Sequence, residues 1–322
     1  MAVASKLYAA LLFLPVALAS AQTAPQPSPW KVSTGFSTDW QHLTETVTPL
    51  APGVSLLHAS GGNTLVLTGT DGTLLVDTSF PQVAPVLQAK LKEMGVTPVK
   101  YVIDTHYHGD HSGAAGPFHL AGATLIAQDN ARARLANPQK NPQRTQAAAP
   151  ADRIPDLTYS HDMHLYFDGE VIELQHLVPA HTDGDSIVYL EHANVVHLGD
   201  VFINGMFPYI DVNGGGNIDG YFPVIDAVLA RCNAQTKVIP GHGDVTDKAR
   251  LRFYRDMLKT VRDRIAAEVA KGATLEQIIA SHPSQEFDKE WASNRITPAD
   301  FAAMVYQSLT GKRMDWKPGL LK

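Results

Sequence analysis

The stretch YVIDTHYHGDHSGAAG, residues 101–116, places three histidines and two aspartates within eight residues. Ahead of it, Val99 to Ile103 reads as a strand. Further back, Val83 to Met94 has apolar residues at Val83, Val86, Leu87, Leu91 and Met94, a helical spacing. With Leu74-Leu75-Val76 as another strand, the order is strand, helix, strand. Asp104 to His111 then falls at the C-terminal end of a strand, where α/β sheets place ligands. Imidazole nitrogen and carboxylate oxygen suit Zn2+ and neighbouring first-row divalent ions. A turn leaving that strand can aim His106 and His108 at one ion and Asp110 and His111 at a second, with Gly109 and Gly113 allowing a compact backbone. A polar loop of hydrogen-bonded neutral histidines is the plain alternative. It accounts for one histidine more easily than for four clustered ligand groups.

Three later loops supply what such a site lacks. VPAHTDGDS carries His181, VVHLGDVF carries Asp200 and VIPGHGD carries His242, each among strand signals and beside Gly184, Gly199, Gly241 or Gly243. Asp200 follows Val195 to Leu198 much as Asp110 follows its own strand, and a carboxylate there can bridge two cations through its two oxygens. Asp104 and Asp185 are candidates to accept hydrogen bonds from ligand imidazoles. Ordinary turn or cap acids are the equal alternative for both.

In this order the motifs resemble those of the metallo-beta-lactamase superfamily. The resemblance covers most of the chain and implies an α/β fold, the four-layer αββα sandwich. It implies that His106, His108 and His181 hold a first metal, that Asp110, His111 and His242 hold a second, and that Asp200 matches the bridging aspartate of the glyoxalase II and lactonase type. The true beta-lactamases differ here. One of their groups has cysteine at this point, and Cys232 lies too far along to replace Asp200; another has serine there and keeps an Asp-His pair like Asp110-His111. No lysine follows Asp200 in VFINGMFPYI, where one beta-lactamase group keeps an anchor for the substrate carboxylate.

Turns at Gly61-Gly62, Gly69 and Asp71-Gly72 separate short strands early in the chain, among them Thr64 to Leu67. Asn137 to Pro155, with four prolines and a run of alanines, reads as a surface excursion or lid and not as a domain boundary, because strands resume at Met163. Its Lys140, Arg144 and Arg153 are candidates to attract an anion. Further strands are expected at Val171 to Leu174, Ser186 to Leu190, Val195 to Leu198 and Thr236 to Pro240, with helices at Tyr221 to Cys232, from Asp247 onward and around Asp300 to Leu309. Asn204, Met206, Phe207, Pro208, Tyr209 and Tyr221 are either walls of a substrate cleft or core residues. Gly214-Gly215-Gly216 lacks the lysine and hydroxyl of a phosphate cradle and reads as a mobile turn beside the site. Cys232, the single cysteine, is expected on a buried helix face.

At the start, Lys6, the apolar run Leu7 to Leu18 and Ala19-Ser20-Ala21 form a signal-peptide pattern over residues 1–21. The run is too short for a membrane span, which needs roughly 20 residues. The expectation is an exported protein, periplasmic or released, whose residues 22–322 form one catalytic domain with C-terminal helices and no stable membrane association. A formal charge of −6 gives no electrostatic case for nucleic acid, and 44% hydrophobic residues exclude a disordered chain. The oligomeric state is left open.

The expected chemistry is hydrolysis by two Zn2+ per chain, with Fe or Mn as alternative metals. The ions activate a water, and the resulting hydroxide attacks the carbonyl of a small substrate while Asp110 orients it or takes its proton. A β-lactam-like ring is the first candidate substrate, and a lactone or small ester follows closely. A mononuclear iron sulfur dioxygenase and a non-catalytic metal-binding protein are the alternatives from other classes.

Overall fold

The computed structural model describes Met1 and residues 39–40, 42–96, 98–141 and 144–312. The leader expected over residues 1–21 lies outside them, Met1 apart. Four strands open the fold as an antiparallel meander: β1 (Thr46–Ala51), β2 (Val54–His58), β3 (Thr64–Thr68) and β4 (Thr73–Val76). Helix α1 (Ala84–Glu93) then carries the chain over to β5 (Val99–Ile103), parallel to β4. The short helix α2 (Gly116–Leu120) leads to β6 (Thr124–Gln128), parallel to β5, and α3 (Asp129–Ala136) follows. Residues 137–155 are an excursion, as expected, built on a hairpin of β7 (Gln139–Asn141) and β8 (Arg144–Gln146). The chain returns as β9 (Leu157–Tyr159), which completes a seven-stranded sheet beside β6.

The second sheet has five strands. β10 (Asp162–Phe167), β11 (Glu170–Gln175), β12 (Ile187–Leu190) and β13 (Val195–His197) run antiparallel, and helix α4 (Ile218–Arg231) crosses over to β14 (Lys237–Ile239), parallel to β13. Helices α5 (Lys248–Ala270), α6 (Leu275–Ala280), α7 (Gln285–Trp291) and α8 (Pro298–Thr310) follow. Asn217 and Asp247 cap α4 and α5 by accepting from Asp219 N and Arg250 N. Among the described residues no helix is long and apolar enough to cross a membrane.

The layering follows from the two-residue period of the strands. Leu74, Val76, Ile103 and Ile126 point from the first sheet toward Ile172, Leu174, Val188 and Leu190 of the second, and this is the core between the sheets. The alternate residues Leu75, Val102 and Leu125 turn outward onto Leu87 and Leu91 of α1 and Phe118 of α2. On the far side, Ile187, Val196 and Val238 meet Ile225 of α4, Leu251 and Leu258 of α5 and Phe301 of α8, with Cys232 buried in the same cluster. The order is helices, sheet, sheet, helices, which is the αββα sandwich. Fully burying one such side chain stabilises by roughly 1.5–3 kcal/mol. The C-terminal ends of β4 and β5 in one sheet and of β11, β13 and β14 in the other lie at one edge, and the loops carrying the clustered histidines and Asp200 leave from there.

Candidate metal centre

Seven side chains meet at that edge in two groups. His106, His108, His181 and Asp200 form one; Asp110, His111 and His242 form the other, and within each the ligand atoms lie within 4.8 Å of one another. Asp200 faces both. Its Oδ2 is 3.6 Å from His181 Nε2, while its Oδ1 is 3.2 Å from His111 Nε2 and 3.4 Å from His242 Nε2. This is the disposition a bridging carboxylate requires. Gly241 makes room for it, since a Cβ there would stand 2.0 Å from Asp200 Oδ1. Asp110 Oδ2 approaches His242 Nε2 at 3.3 Å.

The donor set fits divalent cations on the geometry of its rings. Each of the five imidazoles gives one nitrogen to an outer partner: His106 Nδ1 to Thr105 Oγ1 (3.0 Å), His108 Nε2 to Asp211 Oδ2 (3.0 Å), His111 Nδ1 to Asp77 Oδ2 (2.7 Å), His181 Nδ1 to the Tyr209 carbonyl (2.7 Å) and His242 Nδ1 to the Gly61 carbonyl (2.9 Å). In the neutral tautomers these partners select, every inward nitrogen carries a lone pair. Inward nitrogens then face one another, His108 Nδ1 and His181 Nε2 at 3.0 Å, His111 Nε2 and His242 Nε2 at 3.2 Å, and His106 Nε2 is buried with no hydrogen-bond partner. Lone pairs converge in this way around a cation.

Two of the outer partners, Asp77 and Asp211, were not singled out in the sequence. Asp77 follows β4 with φ 62, left-handed backbone that a non-glycine residue rarely adopts. There its carboxylate accepts from Thr105 N (2.7 Å), Thr105 Oγ1 (2.8 Å) and His111. Asp211 accepts from Tyr107 Oη and Gly214 N besides His108. Asp104 and Asp185, candidates for these roles with turn or cap acids as the equal alternative, do not reach the rings. Asp104 is fully buried with neither carboxylate oxygen hydrogen-bonded, and Asp185 accepts from the Thr182 amide and hydroxyl, which shapes the His181 loop without touching its ring.

Burial, then the neighbouring imidazoles, hold His106 well below the usual histidine range, and burial brings His181 down to about 4. Burial opposes the charge on His242, but Asp200 and Asp110 outweigh it and push it up to about 9; His111 is likewise raised, by Asp200 and Asp77. Burial also opposes ionisation of Asp200, and His242 and His111 overcome it, keeping its carboxyl well below the usual range. The corner around Asp110, Asp200 and His242 therefore attracts positive charge.

Residues 59–242, more than half of the chain, match the metallo-beta-lactamase superfamily. The chain belongs to that superfamily. Solved structures agree on the fold. A metallo-beta-lactamase from Pontibacter korlensis is 18% identical with a TM-score of 0.55, over 67% of this chain and 99% of that one. The stereoselective inverting sec-alkylsulfatase Pisa1 from Pseudomonas sp. is 19% identical with a TM-score of 0.61, over 83% of this chain. This chain spans 50% of the length of that alkylsulfatase. Superfamily membership and the clustered histidines and aspartates together support a metal-dependent hydrolase.

In this superfamily member the two side-chain groups open into a cleft of about 660 Å³, within the roughly 300–1,000 Å³ usual for small-molecule sites. His108, Asp110, Asp200 and His242 reach it, and Phe80, Ile203, Met206, Tyr209 and Ile296 supply apolar wall. Of the wall candidates read from the sequence, Met206 and Tyr209 are there, whereas Phe207 and Tyr221 are fully buried in the core. Phe207 stacks on Phe301 with ring centroids 4.7 Å apart. Asn204 is a tie, accepting from Arg250 Nε and donating to the Asp244 carbonyl. Gly214 to Gly216 is a packed turn, since a Cβ at Gly216 would lie 2.2 Å from the His181 carbonyl oxygen. The return of the excursion, Gln146 to Pro150 with Arg153, forms one side of the cleft; the side chains of Lys140 and Arg144 lie outside the described ones.

Proposed function

We propose that this protein is an exported dinuclear zinc hydrolase of a small carbonyl compound, with a β-lactam-like ring, a lactone or a small ester as substrate. The observation that carries the reading is Asp200, with one carboxylate oxygen toward each histidine group. His106, His108 and His181 would hold one ion, Asp110, His111 and His242 the other. Two such cations would supply Lewis acidity and would lower the pKa of a bound water.

The chain's own residues do the rest. Asp110 lines the cleft beside His242, and its carboxylate is held below the usual range, with burial outweighed by His242 and His111. It is ionised at neutral pH, so it can orient the attacking water and accept a proton at Oδ2. Tyr209 lines the cleft, and burial keeps its phenol protonated, a donor for charge developing on the substrate oxygen. The apolar walls exclude bulk water from the reacting carbonyl. A mononuclear iron dioxygenase leaves the group of Asp110, His111 and His242 without a purpose, and a non-catalytic binding protein leaves the open cleft without one. Export rests on the leader pattern of residues 1–21.

A second reading is hydrolysis of a sulfate ester. It draws on the alkylsulfatase likeness, which covers 83% of this chain against 67% for the Pontibacter korlensis beta-lactamase. Zinc-loaded protein assayed with a chromogenic cephalosporin, a lactone, an aryl ester and an alkyl sulfate separates the readings. Turnover of a carbonyl substrate that disappears in His108→Ala supports the first; turnover of the alkyl sulfate alone replaces it with the second.

A further inference from the structure

Arg153 differs from several other described arginines. Arg134, Arg231, Arg255 and Arg264 each hold a carboxylate in a two-pronged pair. Arg153 ends the turn Ala151–Arg153, half-buried, and forms no such pair among the described residues. Its Nε is buried with no hydrogen-bond partner. Burial disfavours its charge more than Asp104 and Asp152 favour it, and an anion placed in the cleft against the rest of the guanidinium would offset that cost.

The place of Arg153 says what that ligand is. It lines the same cleft as His108, Asp110, Asp200 and His242, and Phe80, Met206 and Ile296 make apolar surface in the same cleft. A molecule filling this space meets cation-seeking ligands on the floor, the half-buried guanidinium of Arg153, the exposed Arg295, the amides of Gln82 and Gln146, and apolar wall between them. The planar fork of arginine matches a two-oxygen acceptor such as a carboxylate or a sulfate group. The segment after Asp200, residues 201–210, contains no lysine or arginine to do the same work.

We propose that Arg153 is the anion anchor of the cleft. The substrate carries a carboxylate or sulfate group on an apolar body, and that group rests against the guanidinium while the scissile bond lies over Asp110 and Asp200. The inference rests on the hydrolase reading above and narrows its substrate class to anions.

Two measurements on the full-length, zinc-loaded protein and its Arg153→Met and Arg153→Lys variants test it. The first is the ratio of KM values for a carboxylate-bearing ester, monophenyl glutarate, and its neutral counterpart, phenyl butyrate. The second is calorimetric binding of adipate and of hexyl sulfate, which distinguishes the two anion types. Arg153→Met is expected to raise the KM ratio and to weaken binding of the preferred anion by roughly tenfold to a hundredfold, and Arg153→Lys to recover part of it. Equal KM ratios and equal anion binding in wild type and Arg153→Met overturn the anchor while esterase activity keeps the hydrolase reading intact. If wild type turns over neither ester, the hydrolase reading suffers and calorimetry alone decides the anchor. Weaker anion binding by Arg153→Met then upholds it, and equal or absent binding overturns it.

Discussion

Asp211 accepts from His108 Nε2, from Tyr107 and from Gly214 N, and so fixes which nitrogen of His108 faces the metal group. Such outer hydrogen bonds typically govern metal affinity by roughly tenfold to a hundredfold. Asp211→Asn is expected to weaken the first metal by about that factor in a chelator competition while the far-UV spectrum stays native; unaltered affinity would contradict the role. The seven clustered histidines and aspartates were legible because ligand types cluster after strand ends and recur at later strand ends. Asp77 and Asp211 were not, because a single acid after a strand reads as a turn acid. Asp77 and Asp104 end neighbouring strands, and only backbone geometry decides between them. The left-handed φ of Asp77 carries its carboxylate to Thr105 and His111, whereas burial holds the Asp104 carboxyl well above its usual range.

At the scale of elements, the site depends on loops from different strands being tied together. Asn63, just ahead of β3, donates from Nδ2 to the Pro240 and Gly243 carbonyls (2.9 Å each) and from its backbone to the Gly241 carbonyl, so it brackets the His242 loop. Asn63→Ala strands two buried acceptors and is expected to destabilise by about 2–4 kcal/mol, read by urea denaturation, with a weaker second metal. A stability within experimental error of wild type would show that the bracket is dispensable. Most strands and the long helices were readable from alternation and 3.6-residue spacing. Of the elements not named, β6 and α3 lie ahead of the excursion, where Thr124–Gln128 passes into a polar helix, Asp129–Ala136, with few apolar markers. The tie through Asn63 joins residues 177 and 180 positions apart, a separation that no local pattern reveals.

Over the whole molecule, stability should carry a pH signature from Glu45, at the entry to the first sheet. Burial pushes its carboxyl up to about 7, against the opposing charge of Lys90. The folded state therefore holds a proton that the unfolded chain releases from about pH 4.5 upward. The sign follows: this contribution favours the fold below about pH 4.5 and is lost between there and about pH 7. Glu45→Gln is expected to gain stability relative to wild type on going from pH 5 to pH 8, on the order of 2 kcal/mol by denaturant titration. A difference between the two proteins that does not vary with pH would contradict the burial argument.

The four layers bring strand ends of both sheets to one edge, and the clustered histidines and aspartates sit there. The most direct test of the dinuclear hydrolase is a titration of metal-free protein with Zn2+, following metal bound and hydrolysis of the best substrate together. The expected result is occupancy reaching two ions per chain, with the second ion bound more weakly and turnover reduced in Asp200→Ser. Saturation at one ion, with turnover complete there and unaffected by Asp200→Ser, would contradict the dinuclear hydrolase.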